Sequence, residues 1–211
     1  MTGEGMLGKL IQGILLGFSI AAPVGPIGVL CIRRALQNGF KSGLASGLGA
    51  ASADAVFGTI AAAGLTLAAE FLAKQQTWLS LLGGAFLLYL GVQTFRSPPP
   101  EMGGADRKTN SLAGDYFSTF LLTLSNPITI FSFMALFGGM SAGADMAWSA
   151  FVLVLGVFSG SALWWLALSG GVSIFRERFG TGVMRWVNRI AGVVILGFAV
   201  LMLGRVVATF L

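Results

Sequence analysis

Histidine is absent from the 211 residues, and cysteine occurs once, at Cys31. Without imidazole the chain has no His-based acid, base or metal ligand. A single thiol can form no intramolecular disulfide and no dithiol relay, so Cys31 reads as a small apolar packing residue. Charge is scarce as well: 10% of residues are charged, against about 25% in an ordinary soluble domain. With 55% hydrophobic residues and a mean hydropathy of +0.85, nothing is left from which to build a soluble catalytic domain. The composition is that of an all-α membrane protein, and no enzyme is expected. Proline is rare too, with 6 residues, so its positions carry information.

Apolar runs of about 20 residues cross a bilayer as helices. Six are expected, at about 6–31, 43–69, 78–95, 116–137, 147–172 and 186–210. The first lacks a basic n-region and outruns a signal peptide, so it reads as a retained span. A polar linker at about 97–114, holding Pro98-Pro99-Pro100, divides one transmembrane domain (1–211) into halves of about 6–96 and 115–211.

Loop charge sets the orientation. Arg33, Arg34, Lys41, Arg96, Arg107 and Lys108, with the four arginines between 176 and 189, fall in alternate loops; Lys9, Lys74 and Arg205 fall on the other side. Ten basic residues against three place both termini outside the cytoplasm by the positive-inside rule. The basic excess thus reports membrane orientation, and no nucleic acid is implied. Arg33 and Arg34 read first as topology signals, with a gate or a binding role for substrate carboxylates as the alternative. Trp78, Tyr116, Trp148 and Trp186 begin spans, where amphipathic rings favour the headgroup region; Trp164 and Trp165 lie deeper and read as packing.

The halves resemble each other. Gly25-Pro26-Ile27 overlays Asn126-Pro127-Ile128, Gly49 overlays Gly156, and Gly84 and Gly91 overlay Gly197 and Gly204. A repeated unit of three spans enters the membrane in opposite senses, which gives a 3+3 inverted repeat. Spans one and four are both interrupted, at Pro23 to Pro26 and at Asn126-Pro127. Proline removes a backbone donor, and lipid cannot satisfy the groups set free, so each break must face protein or a watery cavity. Matched broken helices point to the substrate site of a secondary transporter. Helix ends there offer N–H groups to a carboxylate and carbonyls to a cation.

Asp54 lies 11 residues beyond Gly43, about 16 Å along a helix and near the bilayer midplane. A charge there costs at least about 2.5–3.5 kcal/mol on insertion scales. Gly43, Gly47, Ala50 and Gly58 share its face, so Asp54 points into the bundle and is a candidate for proton or cation coupling. Glycines at four-residue spacing, Gly13/Gly17, Gly39/Gly43/Gly47 and Gly156/Gly160, let helices approach closely. The preferred reading is contact inside the bundle, with a homodimer seam as the alternative.

The run from Gly17 to Pro26, then Ile32-Arg33-Arg34-Ala35-Leu36, Gly49-x4-Asp54, Tyr89-Leu90-Gly91 and Phe120-x5-Asn126-Pro127, resembles the LysE-type (LysE/RhtB) amino-acid exporters. The resemblance covers nearly the whole chain, although Val24 lengthens the Pro-Gly-Pro of many relatives. It implies proton-coupled export of amino acids or related small metabolites across the bacterial inner (cytoplasmic) membrane, with no cofactor. The implied substrate-binding residues are Pro23, Gly25, Pro26, Asn126 and Pro127, with Asp54 for coupling. The alternative is metal or small-ion efflux by a related six-helix family, for which this donor set is poor. An accessory subunit that transports nothing is a further alternative.

Overall fold

The computed structural model describes residues 3–23, 25–62, 74–97, 111–126, 129, 133, 146–175 and 181–208. Among them are seven helices and no strand. The first expected span is two helices, α1 (Gly3–Ala21) and α2 (Pro26–Asn38), which meet at 83°. Pro26 stands in the first turn of α2, where its missing N–H costs no helical hydrogen bond. Gly25 before it is extended, the backbone that a residue preceding proline favours.

Helix α2 ends at Gly39, whose φ of 93° is left-handed and suits a residue without Cβ. The Gly39 N–H closes on the Ala35 carbonyl at 3.1 Å, and α3 (Phe40–Ala62) begins at the next residue. Gly39 is therefore an elbow. The expected packing stripe keeps only Gly43 and Gly47, which meet Ala35 and Ser169 and the Trp165 ring respectively.

The remaining helices are α4 (Gln76–Arg96), α5 (Leu112–Leu124), α6 (Met146–Phe175) and α7 (Thr181–Ala208). Ser111 caps α5 by accepting the Gly114 N–H at 2.9 Å. At its other end the Asn126 N–H turns back to the Thr123 carbonyl at 3.1 Å, tightening the last turn just before the expected break. Pro127 itself lies outside the described residues.

Helices α4, α6 and α7 are each long and apolar enough to cross a membrane, and the bent pair α1–α2 makes a fourth if taken as one span. Exposed Leu82, Tyr89, Leu163, Leu166, Val193 and Val200 give these helices an apolar outer face, suited to lipid.

The packing partners follow a pattern. Helix α1 lies on α6, α3 runs between α5 and α6, α4 lies on α7, and α2 bridges α3, α6 and α7. Glycine sets the closest approaches. A Cβ on Gly17 would collide with the Val157 carbonyl, one on Gly160 with that of Ile14, and one on Gly49 with that of Tyr116. Gly84, Gly91 and Gly192 meet Leu203, Leu196 and Phe95. As one position rises along α4 its partner falls along α7, so these two helices are antiparallel. Gly197 and Gly204, by contrast, face open space, so the glycine match between spans three and six is not a match of contacts.

The aromatic border is only partly as expected. Trp78 and Trp186 are 64% and 65% exposed at the starts of α4 and α7. Tyr116 turns inward, donating to Ser52 Oγ at 2.7 Å and stacking on Phe120, because α3 approaches it at Gly49. Trp165 is buried, and Trp164 packs edge-on against Phe18.

Gly17→Ala and Gly160→Ala should each destabilise the protein in detergent by about 1–3 kcal/mol, as an overfilled contact does, and so lower its melting temperature. Gly197→Ala meets nothing, and should leave stability unchanged or raise it by up to about 1 kcal/mol through helix propensity. Thermal unfolding followed by circular dichroism checks both. Equal melting temperatures for the three variants would contradict the close α1–α6 approach.

Candidate functional site

A cavity of about 130 Å³ lies between the start of α2, the end of α5, the first turns of α4 and the last turns of α7. Pro26, which opens α2, and Asn126, which follows the end of α5, both line it. Gln76, Ser80 and Arg205 supply the rest of its polar lining, and the walls are aliphatic and aromatic. The chain reaches this geometry because α2 begins at Pro26 and α5 ends at Leu124, two residues before Asn126. Pro23 is exposed at the bend, and Gly25 is half-buried with open space where a Cβ would stand; neither lines the cavity.

Asp54 is elsewhere. It is 3% exposed on the α3–α6 contact, where its Oδ2 accepts from Ser161 Oγ at 2.7 Å. Ser161 in turn accepts from Trp165 Nε1 at 3.2 Å. The chain Trp165–Ser161–Asp54 joins α6 to α3. Gly58, one turn on from Asp54, faces Phe133, Val154 and Val157, so the carboxylate adjoins an apolar cluster and not the cavity.

The sequence reading missed a second buried acid. Asp115, one residue before the expected start of span four, pairs with Arg34, Nε to Oδ1, at 3.1 Å, and the two side chains are 1% and 7% exposed. Arg34 Nη1 also donates to Ser46 Oγ, Thr119 Oγ1 and the Asp115 carbonyl, and Nη2 donates to Ser118 Oγ at 2.8 Å. Ser42 Oγ donates to Asp115 Oδ2. Arg34 is therefore no solvated loop charge, because α2 turns back at Gly39 and carries it beneath α5. Neighbouring contacts reinforce this end: Arg33 donates to Ser97 Oγ at 2.9 Å, Asn188 donates to the Ser97 carbonyl at 3.2 Å, and Gln37 donates to Asn188.

This polar network and the cavity occupy opposite ends of the same helices. Along α7, Asn188 and Met202 are separated by about 20 Å, and along α4, Ser80 and Ser97 by about 25 Å. The bundle is thus cross-linked at its basic-loop end and hollow towards the other.

Asp115→Leu or Arg34→Met alone should destabilise the protein by about 3–5 kcal/mol, because each leaves one buried charge unpaired. The double variant should recover most of that loss. Chemical unfolding of the four proteins in detergent gives the cycle, and additive losses would deny the pair its coupling.

The LysE type translocator model matches residues 18–205. The chain is 31% identical over 191 residues to "Putative amino acid efflux protein YcgF" of Bacillus subtilis, covering 88% of this chain and 90% of that protein. It is 28% identical over 200 residues to "Chemotactic transduction protein ChpE" of Pseudomonas aeruginosa, covering 92% and 97%. It is 26% identical over 171 residues to "Uncharacterized membrane protein YahN" of Escherichia coli, covering 80% and 77%. No solved structure matches significantly. A family match running from α1 to the last turns of α7, across both breaks and the buried carboxylates, makes this chain a member of the LysE type translocator family, multi-pass membrane transporters of small molecules.

Proposed function

We propose that this chain exports amino acids or closely related small metabolites across the inner membrane by proton-coupled alternating access. In this reading six spans form a 3+3 inverted repeat with both termini outside the cytoplasm. The α1–α2 pair is the first span and α5 opens the fourth. The observation that carries the reading is the cavity lined jointly by Pro26 and Asn126. Two related helix breaks that meet at one chamber are the arrangement by which secondary transporters hold polar solutes.

The packing supports the repeat. A two-fold that exchanges the halves turns the α1–α6 contact into the α5–α3 contact, and maps α3–α6 and α4–α7 onto themselves. All four are present. Gly49 and Gly156, overlaid in sequence, each abut the first span of the opposite half, at Tyr116 and at Gly13. Amino acids as cargo rest on the name of the Bacillus relative and on the size of the cavity.

Substrate is held by Pro26 and Asn126, with Pro23, Gly25 and Pro127 shaping the two breaks. Asp54 accepts the coupling proton. Ionised, it takes the Ser161 hydrogen bond on Oδ2; a proton on Oδ1 leaves that bond in place and removes the buried charge. Proton binding can drive transport only if the two states hold the proton unequally, and a carboxylate on the α3–α6 contact is placed where two packings of that contact would hold it differently. The Arg34–Asp115 network closes the basic-loop end, which positive-inside orientation makes cytoplasmic. Inward opening parts α2 from α5 and breaks it.

The Pseudomonas relative's name favours a second reading, a membrane component of signalling that moves no solute. Reconstituted vesicles separate the two. The wild-type chain should accumulate amino acid down an imposed proton gradient. Asp54→Asn should lose that coupling, typically worth about 5–150-fold, while exchange of labelled for unlabelled substrate continues. Undiminished coupled flux would remove Asp54 from the mechanism, and silent wild-type vesicles would favour the signalling reading.

A further inference from the structure

We infer that the outer groove between α4 and α7 binds an anionic phospholipid, with Arg96, Arg185 and Arg189 holding its headgroup and the two helices bedding an acyl chain. Glycine contacts fix the groove. Gly84 and Gly91 of α4 meet Leu203 and Leu196 of α7, and Gly192 meets the Phe95 backbone. Gly83 faces Met202 and Ser125, so that flank of the contact turns towards α5 and the interior. The other flank faces outward. On it Leu81, Leu88 and Phe95 recur every seven residues along α4, two turns apart, and all are exposed. Val193, Val200 and Val207 repeat that spacing along α7 and are exposed as well. In the antiparallel register set by the glycines, Phe95 stands level with Val193, Leu88 with Val200 and Leu81 with Val207. These three apolar rungs span about 21 Å of groove. That is enough for a chain filling the roughly 15 Å half of a hydrocarbon core.

Positive charge gathers at one end of the groove. Arg96 follows Phe95 at the first rung, Arg189 stands one turn before Val193, and Arg185 stands one turn further on, past the end of α4. All three are exposed, and none makes an ion pair or a side-chain hydrogen bond among the described residues. In this they differ from Arg33 and Arg34, whose guanidiniums bond within the bundle. A phosphodiester can take two N–H groups of one guanidinium at once. Exposed Trp186, next to Arg185, supplies an amphipathic ring of the kind that favours headgroup depth. A soluble anion would satisfy the arginines and leave the rungs unused. A zwitterionic lipid would use the rungs and bring an ammonium with its phosphate. An anionic phospholipid answers both features, and basic pockets between spans are where such heads bind.

The full-length wild-type chain in detergent is titrated with phosphatidylglycerol, with phosphatidylethanolamine of the same acyl chains, and with inorganic phosphate. Native mass spectrometry counts the lipid retained. Phosphatidylglycerol should be held as a single molecule per chain and preferred to phosphatidylethanolamine by at least about tenfold, given about fivefold for each basic residue near an anionic surface. Arg189→Gln should weaken retention about fivefold, and Arg185→Gln added to it should weaken it further. Lys41→Gln removes an exposed charge in another basic loop and should change nothing. Leu88→Trp fills the middle rung and should weaken lipid retention with all three arginines intact. These positions are exposed, so melting temperatures without lipid should match the wild type. Equal losses from Lys41→Gln and Arg189→Gln, or no preference between the two lipids, would reduce the arginines to orientation signals and overturn the site. Inorganic phosphate that displaces the lipid, with Leu88→Trp silent, would leave an anion site without its acyl groove and overturn it too. Lipid-free dimers of the wild type would give the groove to a second copy of the chain.

Discussion

Hydrocarbon gives a polar group nothing to bond to, and the irregular parts of this chain answer to that constraint. Where α1 stops at Ala21 and α5 at Leu124, the released backbone must find partners in protein or in a watery cavity. Pro26 and Asn126, which follow those ends, line one cavity. Where Arg34 enters the bundle, it brings Asp115 and four hydroxyl-bearing residues around the pair. Where Asp54 is buried, Ser161 and Trp165 are stacked behind it. Each polar feature is placed by partners from another helix, so the polar groups also dictate which helices are neighbours.

Apolar packing alone would not specify this bundle, since lipid is as good a neighbour for leucine as another helix is. Close approach is decided by residues that lack side chains. Gly13, Gly17, Gly156 and Gly160 bring α1 and α6 into backbone contact, and Gly49 does the same for α3 against α5. These contacts make the α1–α6 and α3–α5 seams tight and small-residued. Large side chains at such a seam would lock it by interdigitation, whereas smooth backbone surfaces can slide and re-form.

Much of this was legible in the residues. Runs of apolar residues foretold α4, α6 and α7, and proline foretold the α1–α2 break and the end of α5. The burial of Asp54 followed from the small residues on its helical face. What escaped notice was the Arg34–Asp115 pair. Both residues border apolar runs at a basic loop, where charge ordinarily reports orientation and faces water. Only the reversal of the chain at Gly39, a single left-handed residue, brings Arg34 under α5, and no periodicity encodes that reversal. The separation of Asp54 from the cavity was equally hidden, because position along a span fixes depth in the membrane but not which neighbour a side chain meets. Tyr116 fails as a border residue for the same reason.

The engagement of Arg34 with Asp115 has an electrical consequence. A lone charge carried across a membrane works against the transmembrane voltage, at about 2.3 kcal/mol per elementary charge for each 100 mV. While they are paired, the guanidinium and the carboxylate form a neutral unit on which the field does no net work. Because the two charges stand on different helices, α2 and α5, any motion that separates those helices turns the pair into two charges that the voltage acts on in opposite senses.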